Sequence, residues 1–251
     1  MSEPTTAETL RSEPAIRSRL YLLLAVGFRY PSREIFAALK NGIYQAEIGE
    51  CIECLPHIST LPAVTAESGL GPLPMLREMP FEEFESLYTA SFEVGYPEPP
   101  CPLYEGIYRG GERTQYMLRV SSYYKHFGLV MSQGDGRREV PDHLSAELEF
   151  MHFLTFKENQ ANEEGTEELL QGYLRAQKDF LQQQLSQWLP GFVKRLQTGC
   201  RIPFYVALGH LIHDVILSEL EHVKSIQAGI VVNTTVEHTE TSAVSSSTPS
   251  R

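Results

Sequence analysis

Positive charge is what this sequence is shortest of. Its 251 residues carry 21 Lys and Arg against 32 Asp and Glu, a formal net charge of −11 and a pI near 5.2. Clustered Lys and Arg supply most nucleic-acid affinity by neutralising phosphates, so DNA and RNA are excluded as partners. Long apolar runs are missing as well. The longest, Leu20 to Phe28, is nine residues, about half of the ~20 that span a bilayer, and no stable membrane insertion is expected. Cysteine is scarce. Cys51, Cys54, Cys101 and Cys200 are irregularly spaced, which excludes a disulfide scaffold and predicts reduced thiols. The opening stretch, MSEPTTAETLRSEP, has neither the basic nor the apolar region of a secretory signal, so the protein is expected to stay in the cytoplasm.

Signatures of catalysis are equally thin. There is no GxSxG elbow, no GxxxxGK[ST] phosphate loop, no GxGxxG after a strand and no HExxH pair, so no nucleophile, nucleotide or zinc-peptidase chemistry is indicated. Cys51-Ile52-Glu53-Cys54 is a CxxC, but a structural zinc site needs a second half that does not follow, and a redox pair wants a preceding strand. It reads as two half-buried helix cysteines. No cofactor is expected, and the protein is read as a binding protein rather than an enzyme.

What is present is helix. Apolar residues, 42% of the chain, recur at three- and four-residue steps, with almost no period-two alternation. The fold class is therefore all-α: a single helical bundle of about nine or ten helices over residues 13–228, between disordered ends at 1–12 and in the Ser/Thr-rich 229–251. The first helix is placed at Pro14 to Phe28, with Leu20 to Leu24 apolar nearly all round and hence central. Pro141 is placed in the first turn of a strong helix carrying Leu144, Leu148, Met151 and Leu154 on one face. Another helix is placed from Glu163 to Gln187, a short one follows and is divided from it by Pro190-Gly191, and the last ends near Ile226. Two loops stand out: 59–80, rich in Pro and Gly, and Ser132 to Glu139.

Two constellations have chemical character. Glu139-Val140-Pro141-Asp142-His143 precedes and opens a helix, where Asp142 suits the positive end and His143 points out of it with Glu147 one turn on. Such a group can hold a cationic peptide or a metal. The plainer reading is that Glu139 and Asp142 cap the helix while His143 packs. The alternative function is a metal-dependent helical enzyme using His143 and Glu147, or His210, His213 and Asp214. The second constellation is Pro97 to Tyr108. Four prolines in six positions preorganise an extended backbone that leads into aromatic side chains suited to gripping a peptide.

Together these segments resemble the TorD/DmsD/NarJ family of chaperones for molybdoenzymes. Glu139-Val140-Pro141-Asp142-His143-Leu144, leading into Glu147-Leu148-Glu149-Phe150-Met151, is similar to the family's E-x-P-D-H helix start. Pro99-Pro100-Cys101-Pro102-Leu103-Tyr104-Glu105-Gly106-Ile107-Tyr108 resembles its Pro-rich turn, with Gly106 where many members have Ser and Tyr104 where some have Trp. The resemblance implies the family's all-α fold and a chaperone of a dimethylsulfoxide-reductase-type enzyme. Its partner would be an apo-molybdoenzyme catalytic subunit with its N-terminal or twin-arginine signal segment, held until cofactor insertion and assembly are complete. By motif, Asp142, His143, Pro141 and Glu139 would lie at the peptide-binding pocket, with Pro100, Tyr104, Gly106 and Tyr108 forming an adjacent wall. Monomer and dimer both remain open. The acidic surface is expected to attract an arginine-bearing peptide with a salt-sensitive on-rate.

Overall fold

The computed structural model describes residues 12–61, 74–130 and 140–244, with side chains described to residue 229. Helix α1 (Glu13–Phe28) starts where Ser12 Oγ accepts the Ala15 N–H at 3.4 Å, with Pro14 in the first turn. Helix α2 (Arg33–Lys40) is capped likewise by Ser32, whose Oγ accepts from the Ile35 N–H at 3.2 Å. Then come α3 (Ile43–Glu53), the single turn α4 (Pro56–Ser59), a 3-10 turn at Pro74–Leu76 and α5 (Phe81–Phe92). The chain continues through another single turn, α6 (Glu105–Tyr108), into α7 (Arg113–His126), α8 (Leu144–Glu164), α9 (Glu167–Phe180), α10 (Ser186–Gly199) and α11 (Pro203–Val244). Because α9 and α10 join through a π-helical segment, ten helices are separated by loops among the described residues, and no strand is present there.

The bundle is organised around α1, which lies along α8. Leu20, Tyr21, Leu24, Ala25 and Phe28 are buried and Leu22 and Leu23 half-buried, while Arg19 marks the exposed side, so the apolar run is covered over most of its circumference. Phe28 meets Phe92 of α5, Phe192 of α10 and Tyr205 of α11 with ring centroids 5.9, 5.5 and 5.5 Å apart. Each such ring adds stabilisation of ~0.5–1.5 kcal/mol beyond its buried area. On α8, Leu144, Leu148, Met151 and Leu154 are all buried, as their spacing predicts.

One charged side chain sits inside this apolar framework. Arg17 of α1 is 1% exposed. Its Nη1 donates to Glu158 of α8 at 2.9 Å, its Nε to Glu219 of α11 at 2.9 Å, and its Nη2 to Gln177 of α9 at 2.8 Å. The Tyr21 hydroxyl also donates to Glu219 at 3.1 Å. A planar fork of donors is what satisfies two buried carboxylates at once. Burial pushes the Glu219 carboxyl up, but Arg17 and the hydrogen bond from His57 outweigh it and hold it at about 2.

Four expectations change. Helix α8 starts at Leu144 with His143 as its N-cap, so Pro141 lies in the preceding turn. The backbone at 142–143 is committed to another pairing and cannot be helical. Gly165 ends α8, and α9 begins only at Glu167. The irregularity expected at Pro190-Gly191 falls earlier, at the π-helical Leu181–Leu185, and Pro190 lies inside α10. Proline removes a donor and crowds the carbonyl four residues back, and a widened turn just upstream relieves that. The last helix runs past Ile226 to Val244, with no proline between those residues to stop it. Of the CxxC pair, Cys51 is buried, with its thiol pushed up to about 11 by burial, and Cys54 is exposed. A thiol held protonated does not start disulfide exchange. Most of the 59–80 loop (62–73), the 131–139 segment with Glu139, and residues 1–11 lie outside the described residues.

Arg17→Met is expected to cost ~3–5 kcal/mol in urea unfolding, because Glu158 and Glu219 stay buried without their cation. Glu219 has a folded pKa below its ordinary 4.5. Its contribution is therefore complete above that value and lost as the pH falls towards about 2. Glu219→Gln should flatten the acid limb of the stability curve, and an unchanged limb would contradict the assignment.

Candidate functional site

The two constellations meet. An isolated antiparallel β-bridge pairs Tyr104 with His143. The Glu105 N–H donates to the Asp142 carbonyl and the Leu144 N–H to the Leu103 carbonyl, each at 2.9 Å. The Pro-rich segment cannot be helix and needs partners for its backbone groups. It finds them in the turn before α8 and, at its other end, in the Ser91 carbonyl, which accepts from the Cys101 N–H at 2.9 Å.

Side chains lock the junction. Asp142 is fully buried and is gripped in a bidentate pair by Arg113 of α7, with Nε to Oδ2 at 2.8 Å and Nη2 to Oδ1 at 2.9 Å. The Gly106 N–H also donates to Oδ2, at 3.3 Å. The Arg113 guanidinium lies 4.1 Å from the Tyr104 ring centroid, and the same ring meets His143 edge-on at 5.3 Å. Tyr104 is thus held between a cation and an imidazole. Gly106 makes this possible: a Cβ there would fall 2.5 Å from Arg113 Cγ. That gives a physical reason for glycine at a position where the family resemblance leads one to expect serine.

His143 is 5% exposed, and burial pushes its pKa down to about 4. Its Nδ1 accepts from the Ser145 N–H at 3.1 Å, so the neutral ring caps α8 with Nδ1 as acceptor and carries its proton on Nε2. Below it lie two buried carboxyls. Glu147 accepts from Trp188 Nε1–H at 3.1 Å and Glu105 from Arg109 Nη1 at 2.7 Å, while the second oxygen of each has no partner. Burial, with Glu105 nearby, pushes Glu147 well up; burial lifts Glu105 to about 7 against the pull of Arg109. Asp142, matched by Arg113 and the Gly106 N–H, is the buried carboxylate here with both oxygens partnered.

Of the expected site residues, Asp142, His143, Tyr104 and Gly106 are in direct contact. Tyr108 sits behind them: its hydroxyl donates to the Pro102 carbonyl at 2.7 Å, and its ring stacks on Trp188 at 5.5 Å. Pro100 is exposed on the turn, Pro141 is half-buried before α8, and Glu139 lies outside the described residues. Sequence reasoning missed Arg113, Glu105 and Trp188. The available signal for Arg113 was Gly106, whose missing side chain leaves room for a large neighbour. Gln183 links the junction to the surface beside it: its carbonyl accepts from Arg109 at 2.9 Å and its side chain from the Tyr123 hydroxyl at 3.3 Å. Tyr123, Phe127 and Ala176 floor a groove of about 490 Å³ between α7 and α9, rimmed by Arg119, Arg175 and Asp179.

Neither metal set named from sequence assembles three ligand atoms among the described residues. His143 and Glu147 are engaged as above. His210 meets Gln197, and His213 pairs with its neighbour Asp214.

Comparison with known proteins defines the class of the chain. The family model described as "Nitrate reductase delta subunit" matches residues 66–194. The chain is 36% identical, over 208 residues, to the perchlorate reductase assembly chaperone protein of Dechloromonas aromatica, covering 82% of this chain and 88% of that one. It is 35% identical, over 134 residues, to the selenate reductase assembly chaperone protein of Thauera selenatis, covering 52% and 67%. A redox enzyme maturation protein from Archaeoglobus fulgidus, 21% identical, superposes with a TM-score of 0.44 over 80% of this chain and 93% of that one. The class is that of assembly chaperones rather than catalysts. The chain belongs to the nitrate reductase delta subunit family, the group of TorD-like molybdoenzyme maturation chaperones.

The junction makes an asymmetric prediction. Arg113→Ala strands the buried Asp142 carboxylate and should cost ~3–5 kcal/mol. Asp142→Asn leaves an arginine that can turn to water and should cost ~1–3 kcal/mol. Urea unfolding of the two variants checks the order, and equal costs would contradict it. The folded pKa of Glu105 is above its ordinary 4.5, so the native state holds the extra proton between ~5 and ~7. Wild-type stability should therefore fall relative to Glu105→Gln as the pH rises through that window, measured by thermal melting across the range.

Proposed function

We propose that the chain is a cytoplasmic, system-specific chaperone that binds the N-terminal or twin-arginine signal segment of an apo-molybdoenzyme of the dimethylsulfoxide reductase type. It assists the folding, cofactor insertion and assembly of that catalytic subunit before export. The observation that carries this reading is the Tyr104–His143 bridge, which makes one rigid surface out of the two segments that resemble the chaperone family. The oxyanion reductases named for the relatives point to a client of the same chemistry.

Asp142 is too deeply buried to meet a client in this arrangement. Its role is to fix Arg113 and, through it, Tyr104. Pro141 and His143 shape one side of the surface, while Pro100, Tyr104, Gly106 and Tyr108 shape the other. The apolar part of the client segment lies in the adjoining groove on Tyr123 and Phe127, where aromatic rings give contact area at low entropic cost. Its arginines face the acidic surface, whose net charge speeds encounter and makes it salt-sensitive.

The test is capture of apo-molybdoenzyme catalytic subunits of the dimethylsulfoxide reductase type from the same organism, each with and without its N-terminal segment. Capture should disappear with the segment. Tyr104→Ala should weaken binding of the segment about 10-fold, the effect of losing ~1.4 kcal/mol at an aromatic anchor. Equal capture with and without the segment would overturn the reading.

A further inference from the structure

Next to the Arg17 network, to which Glu219 joins them, three elements converge on a pair of histidines. His57 of α4 and His222 of α11 stack with ring centroids 3.9 Å apart and planes within 2°. Glu13, in the first turn of α1, pairs with His222 Nε2. One ligating atom from each of Glu13, His57 and His222 lies within 4.8 Å of the other two, and among the described residues no other three such groups come together.

We propose that Glu13, His57 and His222 form a binding site for a divalent first-row transition ion of the zinc type. Two imidazoles and one carboxylate are the donor set such an ion takes at ~2.0–2.2 Å, and side-chain rotations close the remaining distance. Zinc coordination also calls for ligands that are oriented from behind. Glu219 meets that need: its Oε1 lies 2.7 Å from His57 Nε2, it is itself clamped by Arg17, and the Ser218 hydroxyl donates to the His57 carbonyl at 2.7 Å. His222 and Glu13 are partly exposed, and a surface hollow lined by His57, Asp214, Ser218 and Glu221 opens beside them. An ion can therefore enter and keep a water as its fourth ligand. The ordinary alternative is two histidines paired with carboxylates and no ion. An ion lies in the plane of each imidazole that binds it, so the stacked rings share one only once His222 turns out of the stack while the Glu219 contact holds His57. An ion here would tie the start of α1 to α4 and to the middle of α11, the two elements that the Arg17 network reaches only from inside.

The experiment titrates chelator-treated, tag-free full-length protein with Zn²⁺ by calorimetry. One site per chain is expected. It should be at least ~10-fold weaker in His57→Ala, His222→Ala and Glu13→Gln, since even the loss of a ligand's supporting partner costs that much. It should be unchanged in the Cys51→Ser/Cys54→Ser double variant, which removes the other metal-binding spacing in the chain. Zn²⁺ titration of the wild-type protein, followed through histidine ring-proton signals, keeps the proposal testable if a variant fails to fold. The His57 and His222 signals should respond to the first equivalent, while His126 and His210 stay unmoved. Absence of Zn²⁺ binding, full affinity in His222→Ala, or loss of the site in the cysteine variant would overturn the proposal.

Discussion

The bidentate pair between Asp142 and Arg113 is the contact on which the junction of the Pro-rich segment with α8 depends. A carboxylate removed from water must be matched, and here it is matched by one guanidinium and one backbone N–H. The match fixes three things at once. It holds α7 against the turn before α8, presses the guanidinium over Tyr104, and keeps the Pro-rich segment in register for its bridge to His143. Cys101 and Leu103 anchor the segment in the apolar core, and the polar pairing adds the register of its backbone against the turn before α8.

The same device recurs at the centre of the bundle, with a different exposure and so a different consequence. Arg17 is buried on every side and ties four helices to one another. Arg113 is about one-third exposed and ties an extended segment to a helix start. A fully buried guanidinium serves the uniqueness of packing. One at the surface leaves a planar cation and an aromatic ring presented to solvent, which suits recognition. A His143 held neutral by burial and a Glu147 whose pKa burial pushes well up lie beneath this surface.

Much of the fold was legible because local signals and tertiary packing agree. The helix placed at Pro14 to Phe28 forms as α1 with Leu20, Tyr21 and Leu24 buried, and Leu144, Leu148, Met151 and Leu154 share a buried face of α8. The misreadings occur where a distant partner decides. Pro141 looks like a first-turn proline until the 142–143 backbone is seen bonding to residues 103 and 105. Pro190 looks like a divider, yet the strain is taken up one turn earlier. Asp142 and His143 stand out in the sequence as a polar pair at a helix start, but sequence spacing carries no information about depth. The buried Asp142 finds its counter-charge in Arg113, 29 residues away. The pairing of His57 with His222 was invisible for the same reason, since 165 residues separate them in the chain.

The central claim is that the Pro-rich segment and the turn before α8 form one cooperative unit. Native-state hydrogen exchange at two amides tests it directly, because the Glu105 and Leu144 N–H groups make the two bonds of the bridge. If the unit is real, both amides are protected and exchange with the same opening free energy, and both lose protection together when Asp142 is replaced by Asn. A Glu105 amide that exchanges at the rate of an exposed loop while Leu144 stays protected as part of α8 would contradict the account.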